Sequence, residues 1–495
     1  MRASGVLMPI FSLPSKYGIG SFSKSAYDFI DQLKLAGQKF WQILPLGPTG
    51  HGDSPYQSFS TFAGNPYFID LDQLIEEGLL TKEECEAADF GNNSRYIDYE
   101  KLYLYRLPLL WKAYIRNGCS RVESFHNFTK KNTFWLDDYA LFMAIKDSYK
   151  GLAWTDWEDD IKFRRSKALE EYKNRLNKET EFYKFIQYLF FKQWAKLKKY
   201  ANDNGILIIG DIPIYVALDS SDTWSRPDLF QFDKDLVPKA LAGCPPDSFS
   251  ADGQFWGNPL YRWEVHKGTG YKWWLSRIAY SFSLYDYLRI DHFKGFDEYY
   301  SIPYQSKTAR LGKWEKGPGL EFFKILDSTY GKLNIIAEDL GHITESVRDL
   351  LRKTGYPGMK VLLFAFDASS GQDNEYLPHN YDKNCVVYSG THDNRTIKDW
   401  IRTISQEDLS YLLEYTDKTR DDLEDINWFM IRMAHSSVAD ISIIPIQDYL
   451  GLGEGARLNE PATVGNNWTW RLVEGEITES LLDKIKYMTS LYGRI

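Results

Sequence analysis

The chain has 495 residues, of which 59 are basic and 68 acidic, and its net charge of −9 argues against nucleic acid as the partner, because phosphate neutralisation needs a basic stripe. No run of 18 apolar residues exists and the N-terminal MRASGVLMPIFSLPSKYGIG lacks a leader's apolar core, so neither a membrane span nor secretion is expected. Cys85, Cys119, Cys244 and Cys385 lie far apart without a CxxC pair, which suits buried thiols in a reducing cytoplasm better than a disulfide frame or a zinc site.

Along the chain, Ser23 is placed to cap a helix whose Ala26, Phe29, Ile30 and Leu33 share one face and which stops near Gly37. The apolar run 40–44 then reads as a strand. Residues from about 65 to 160 are helical in pattern, charged and aromatic, and read as an insertion before the next barrel strand. A longer helix carries Phe182, Phe185, Ile186, Leu189, Trp194 and Leu197, ends at Gly205, and is followed by a buried strand over 206–209. From about 212 to 270 the chain is rich in Gly, Pro, Asp and Trp with little periodicity, as in a functional loop. Further strands are expected near 288–290 and over 334–337, 361–364, 386–388 and 441–446, with a helix from Thr344 to Gly355. Seven short apolar strands alternating with helices predict an α/β fold, a (β/α)8 TIM barrel, although the eighth strand has no pattern of its own. A barrel needs ~250 residues, so roughly half of residues 1–495 is insertion into one elaborated catalytic domain. In barrels such loops gather at the C-terminal face and build the site.

Three of the expected strands run out on an acidic residue. Arg289 and Asp291 stand two apart, hence on one face, so the guanidinium can keep the carboxylate ionised. Glu338 follows the strand at 334–337, and Asp393 lies beyond the strand at 386–388. Asp211 is a fourth such carboxylate, suited to orienting Arg289. An acid after a strand is commonly the cap of the next helix, but three at successive strand ends suit glycosidic chemistry, where one carboxyl donates a proton and another attacks the anomeric carbon. His292 and His392 flank two of them without metal-ligand spacing and read as hydrogen-bond donors to sugar hydroxyls. An aromatic content of 16% also suits sugar rings, with core packing the simpler use.

The motifs that carry these residues are long: WQILPLGPTG at 41–50, DSPYQSFSTFAGNP at 53–66, GDIPIYV at 210–216, AGCPPD at 242–247, QFWGNP at 254–259, RIDHF at 289–293, AEDLG at 337–341 and THDN at 391–394. Together they resemble the amylomaltases, disproportionating 4-α-glucanotransferases related to the α-amylase clan, and the resemblance runs from Gly5 to about Leu472. It implies Asp291 as nucleophile, Glu338 as general acid/base and Asp393 as transition-state stabiliser. It also implies substrate contacts from Arg289, His392, Ser54, Tyr56, Asp211 and Trp256. Asn459 sits in RLNEP at 457–461, where the family pattern is Arg-Met-Asn-Thr-Pro, so its role rests on a weaker match. The resemblance further implies no C-terminal β-sandwich, no metal, no organic cofactor, and maltooligosaccharides or α-1,4-glucans as donor and acceptor. Water must be kept from the acceptor position, and the loop 242–259, with Phe249, Phe255 and Trp256, is the expected cover. A hydrolase would need the same carboxylates; a starch lectin would not need them. GLGEGA at 451–456 fits a dinucleotide fingerprint only until Pro461 and Trp468 follow instead of a βαβ unit.

Overall fold

A computed structural model describes residues 2–50, 52–117, 123–246, 252–341 and 343–495. Cys119 and Phe249, singled out above, lie outside the described residues. Eight parallel strands form one sheet: β1 (Ala3–Leu7), β2 (Phe40–Gln42), β3 (Leu207–Pro213), β6 (Tyr287–Asp291), β9 (Ile335–Ala337), β10 (Gly358–Val361), β11 (Cys385–Tyr388) and β12 (Ile441–Pro445). Their order is β10-β11-β12-β1-β2-β3-β6-β9. The ring is completed between β9 and β10 without a regular ladder. The Ala337 N–H donates to the Pro357 carbonyl at 3.0 Å, and the Asp339 carboxylate accepts the Met359 N–H at 2.7 Å. Gly358 is needed at this seam, since a Cβ there would stand 2.4 Å from Asp339 Oδ2.

The eighth strand is β1, whose Ala-Ser-Gly-Val-Leu carries no long apolar run. Its small residues are required by position: it lies between β12 and β2, and a Cβ at Gly5 would meet Phe40 at 2.5 Å. A second correction concerns β10, which spans Gly358–Val361, while Leu362–Phe364 turns as a 3₁₀-helix. The run at 361–364 is apolar because Leu362 and Leu363 are buried, and burial alone does not distinguish a strand from a turn.

The helices follow from their patterns. Lys24–Leu35 buries Ala26, Phe29, Ile30 and Leu33, and Asn177–Asp203 buries all six of the residues expected on its inner face. Gly205 leaves that helix at a φ of 78°, a left-handed turn that glycine makes without strain. Between β2 and β3 the chain is helical, including Tyr99–Asn117, Glu123–Lys131 and Thr133–Ser148. The segment from 212 to 270 holds more regular structure than its composition suggests. It supplies β4 (Ala240–Cys244) and β5 (Gln254–Pro259), which join β7 (Glu298–Pro303) and β8 (Lys313–Lys316) in an antiparallel sheet ordered β5-β4-β7-β8. Gly- and Pro-containing strands have weak propensity, and the sheet that holds them is completed by β7 and β8 from beyond β6, so little in the local sequence marks them. No helix among the described residues is long and apolar enough to cross a membrane.

The chain ends are stitched together by two guanidinium groups. Arg494, fully buried, donates to the carbonyls of Ala3, His435, Ser437 and Ala439 at 2.8–3.2 Å. Arg2 donates to those of His435, Ser437 and Tyr492 at 2.7–2.8 Å. Burial, with the charge of Arg2 beside it, lowers Arg494 to about 10. Charge-assisted bonds of this kind contribute about 1.5–3 kcal/mol each and are not additive. Arg494→Met is therefore expected to cost about 3 kcal/mol in urea unfolding without changing activity per folded molecule. Arg494→Lys should recover only part, because an ammonium lacks the planar fork.

Candidate active site

The site is assembled on the inward faces of β3 and β6 and on the connections that leave β9 and β11. Asp211 and Arg289 are paired across β3 and β6, so both side chains point to the barrel interior. Arg289 Nη1 lies 2.9 and 2.8 Å from the two Asp211 oxygens, and its Nη2 lies 2.9 Å from Asp291 Oδ1. Its Nε points at Met359 Sδ, 3.4 Å away, across the β9–β10 seam. Arg289 and Asp211 are buried, whereas 29% of the Asp291 side chain reaches solvent. Burial works to lower the Arg289 pKa, but Asp211 and Asp291 outweigh it and push it well above the ordinary value. Burial also pushes the Asp211 carboxyl up against the pull of Arg289. With Arg289 and the Tyr56 hydroxyl (2.9 Å) both donating to it, we read Asp211 as an anion at neutral pH.

Glu338 follows β9 and continues its pairing, its N–H donating to Ile290 O at 3.1 Å. Its carboxylate accepts the His292 N–H at 2.6 Å and the Leu340 N–H at 2.8 Å. The first bond depends on a left-handed turn: His292 has a φ of 55°, uncommon for a residue with a Cβ and typical of functional turns. Burial and the neighbouring charge of Asp291 raise Glu338 to about 7, against the opposing pull of Arg289. The His292 ring is held at about 4 by burial, so it is neutral, and its Nε2 has no partner among the described residues. Trp256 meets that ring edge-on, at 4.8 Å and 83°.

Asp393 stands in the turn five residues beyond β11. Its side chain is 42% exposed, and His392 Nε2 lies 3.3 Å from its Oδ2. Asn459 Nδ2 donates to Oδ1 at 2.6 Å, and Arg457 donates to the Asp393 carbonyl at 2.7 Å. Burial works to raise this carboxyl, but His392 and Asn459 outweigh it and hold it at about 2. Tyr56 links the two sides of the site, its hydroxyl on Asp211 and its ring stacked on His392 at 5.1 Å and 17°.

The fold thus gathers Asp211, Arg289, Asp291, His392, Asp393, Asn459 and Tyr56 by direct contact, with Glu338 and Trp256 joined through His292. Ser54 accepts the Tyr56 N–H at 3.3 Å and shapes the turn that presents that ring. None of the three strand-end acids caps a helix; Thr344 and Thr396 take those positions. Sequence reasoning passed over Met359, whose sulfur faces Arg289, Arg457, and Asp339, which sits beside Glu338 and ties β9 to β10. Only an acidic residue next to Glu338 could have drawn attention to the last. A small cleft of about 50 Å³ beside Tyr56 is bounded by Asp211, Tyr215, Phe190 and Tyr280. Asp291, Glu338 and Asp393 do not line it, so the chemistry does not belong to this cleft. Among the described residues no group of three or more His, Cys, Asp or Glu is arranged to hold a metal ion.

Comparison with known proteins gives a consistent answer. The profile described as 4-alpha-glucanotransferase matches residues 8–476. The 4-alpha-glucanotransferase of Clostridium butyricum is 50% identical over 489 residues, covering 98% of this chain and 100% of that one. That of Streptococcus pneumoniae is 49% identical over 497 residues, covering 100% and 98%. The solved structure of the amylomaltase from Streptococcus agalactiae in complex with acarbose superposes with a TM-score of 0.97 at 43% identity, with complete coverage of both chains. The carboxylates, the barrel and these full-length matches agree: the chain belongs to the 4-alpha-glucanotransferase family.

Proposed function

We propose that this barrel transfers a segment of an α-1,4-glucan to the 4-hydroxyl of a second glucan, or of glucose, by a retaining double displacement at Asp291, Glu338 and Asp393. Family membership makes the chain a 4-alpha-glucanotransferase acting on α-1,4-glucans. The assignment of steps rests on one observation above the others: a carboxyl raised to about 7 stands beside a second carboxyl that is tied to a buried guanidinium. A carboxyl raised in this way can hold a proton for the leaving oxygen, while the one beside it faces a guanidinium, the division of roles that an acid and a nucleophile need.

Glu338, protonated, gives its proton to the leaving glycosidic oxygen while Asp291 Oδ attacks the anomeric carbon. The carbon–oxygen bond to the reducing-end fragment breaks and a β-linked glycosyl ester forms. The acceptor then enters, Glu338 takes the proton of its 4-hydroxyl, and the new α-1,4 bond displaces Asp291. Asp393, ionised throughout, faces the positive charge that develops at the ring, or holds ring hydroxyls. Arg289 and His392 fix the two anions, Asn459 orients Asp393, and Tyr56 and Trp256 supply flat surfaces to glucose rings. In this reading the helical segment of about 65–160 and the segment of about 212–270 are walls of one catalytic domain of residues 1–495. The wide separation of Cys85, Cys244 and Cys385 supports action in the cytoplasm.

Maltotriose alone, without metal, tests the reaction. Glucose and a ladder of longer maltooligosaccharides with a constant number of reducing ends is the expected result; rising reducing ends would make the enzyme a hydrolase. The acid limb of the chemistry is also testable. Glu338 must be protonated in the free enzyme, so kcat/KM should fall as pH rises through about 7. Asp393, at about 2, should leave no mark on the profile between pH 5 and 9. A flat profile to pH 9 would remove Glu338 from the proton-donor role.

A further inference from the structure

The antiparallel sheet carries large apolar side chains that no core accounts for. Phe255 is 42% exposed, Trp314 39% and Leu311, just before β8, 71%. Strand register sets two of these in a single row. Phe255 lies opposite Gly243, Gly243 opposite Tyr300, and Tyr300 opposite Trp314, and directly opposed residues share a face of a sheet. Gly243 adds no side chain to the row, and the Gln254 carbonyl and Ile302 occupy the space where its Cβ would stand. Tyr300 is buried and anchored, its hydroxyl donating to Ala309 O at 3.0 Å. Two exposed rings therefore flank a fixed one.

Trp314 is held rather than loose. The ammonium of Lys294 sits 3.9 Å from the centre of its ring, and Tyr300 meets it edge-on at 5.1 Å and 63°. With one face under Lys294, the exposed part of the indole is the other. Lys294 comes from the turn Phe293–Phe296, three residues past Asp291, and its Nζ lies 3.6 Å from Glu298 Oε1. The same Glu298 oxygen receives the Thr344 hydroxyl at 3.4 Å, and Thr344 lies on the connection that leaves Glu338. The row is thus bolted to the two turns that carry Asp291 and Glu338.

We propose that this face, with Trp314 as its stacking ring, is a docking surface for α-1,4-glucan chains at a distance from the reacting bond. Glucose rings present C–H groups on their faces, which suit an exposed indole. A ring already fixed loses little freedom when a sugar docks on it. Nothing charged is needed on the ligand, and the long chain of a glucan is what lets one molecule reach both the carboxylates and the platform. The proposal rests on the transferase reading for its ligand class.

The test compares short and long glucans. In Trp314→Ala, kcat/KM for disproportionation of maltoheptaose is expected to fall about fivefold to tenfold, while that for maltotriose stays within about twofold. Trp314→Phe should recover most of the loss. Equilibrium binding is measured separately on Asp291→Asn protein, with and without Trp314→Ala, using maltoheptaose as the probe. There the Kd should rise by a similar factor, and this measurement holds even if the transfer assay gives no ladder. Equal losses with both substrates, or none with either, would overturn the proposal. So would a wild-type dimer that Trp314→Ala converts to monomer, which would make the face a contact between two copies of this chain.

Discussion

Glu338→Gln is expected to lower kcat/KM for maltotriose by about 10²–10⁴-fold yet to release the first equivalent of fluoride from α-maltosyl fluoride at close to the wild-type rate. The difference follows from the leaving group. A sugar alkoxide cannot depart without a proton, and Glu338, raised to about 7 by burial and by Asp291, is the group that holds one. Fluoride departs unaided, so the first displacement survives the loss of the acid. The amide keeps the size of the side chain and an oxygen that can accept the His292 or Leu340 N–H, so the turn is expected to persist. The ester on Asp291 should then accumulate, because no base remains to activate the acceptor, and azide, which needs no base, should release it as a glycosyl azide of retained configuration. Asp291→Asn must behave differently. It keeps an oxygen facing Arg289 but cannot form the ester, so both substrates should lose about 10⁴-fold or more. If Asp291→Asn still turned over the fluoride, or Glu338→Gln lost both substrates equally, the two roles would have to be exchanged or shared.

The parts of this site that sequence exposed are those whose position follows from strand period. Arg289 and Asp291 share a face because they stand two apart on β6, and the structure joins them at 2.9 Å. What it did not expose depends on contacts between distant segments. Nothing local says that Ala3–Leu7 is a barrel strand, since its glycine answers to Phe40 and Ile443 rather than to any pattern. The four antiparallel strands are similar: β4, already paired with β5, finds β7 only after β6 has intervened. Asn459 shows the converse. Its motif departs from the family pattern at two of five positions, yet the side chain reaches Asp393 at 2.6 Å, because Arg457 braces the turn on the Asp393 carbonyl. The left-handed turn at His292, which aims a backbone N–H at Glu338, leaves no trace in residue type at all.

Arg289→Met should be the most damaging single change to stability in the barrel, and its size can be reasoned from its partner. Asp211 is fully buried, and without Arg289 its carboxylate would keep only the Tyr56 hydroxyl. Removing one member of a buried ion pair costs about 3–5 kcal/mol, because the remaining charge is uncompensated. Replacing both by apolar residues is often near neutral, so Arg289→Met with Asp211→Leu is expected to regain most of that stability in urea unfolding. Activity should not return, since Asp291 would still lack its guanidinium. The pH dependence separates charge from shape. Burial already raises Asp211 above its ordinary value, and loss of Arg289 removes the main force opposing that rise. A carboxyl whose folded pKa exceeds its unfolded one binds its proton first in the native state, so native stability is regained as pH falls through the folded pKa. The deficit of Arg289→Met relative to wild type should therefore shrink between pH 7.5 and pH 4.5. A deficit that stayed constant would assign the loss to packing against Met359 rather than to the stranded charge.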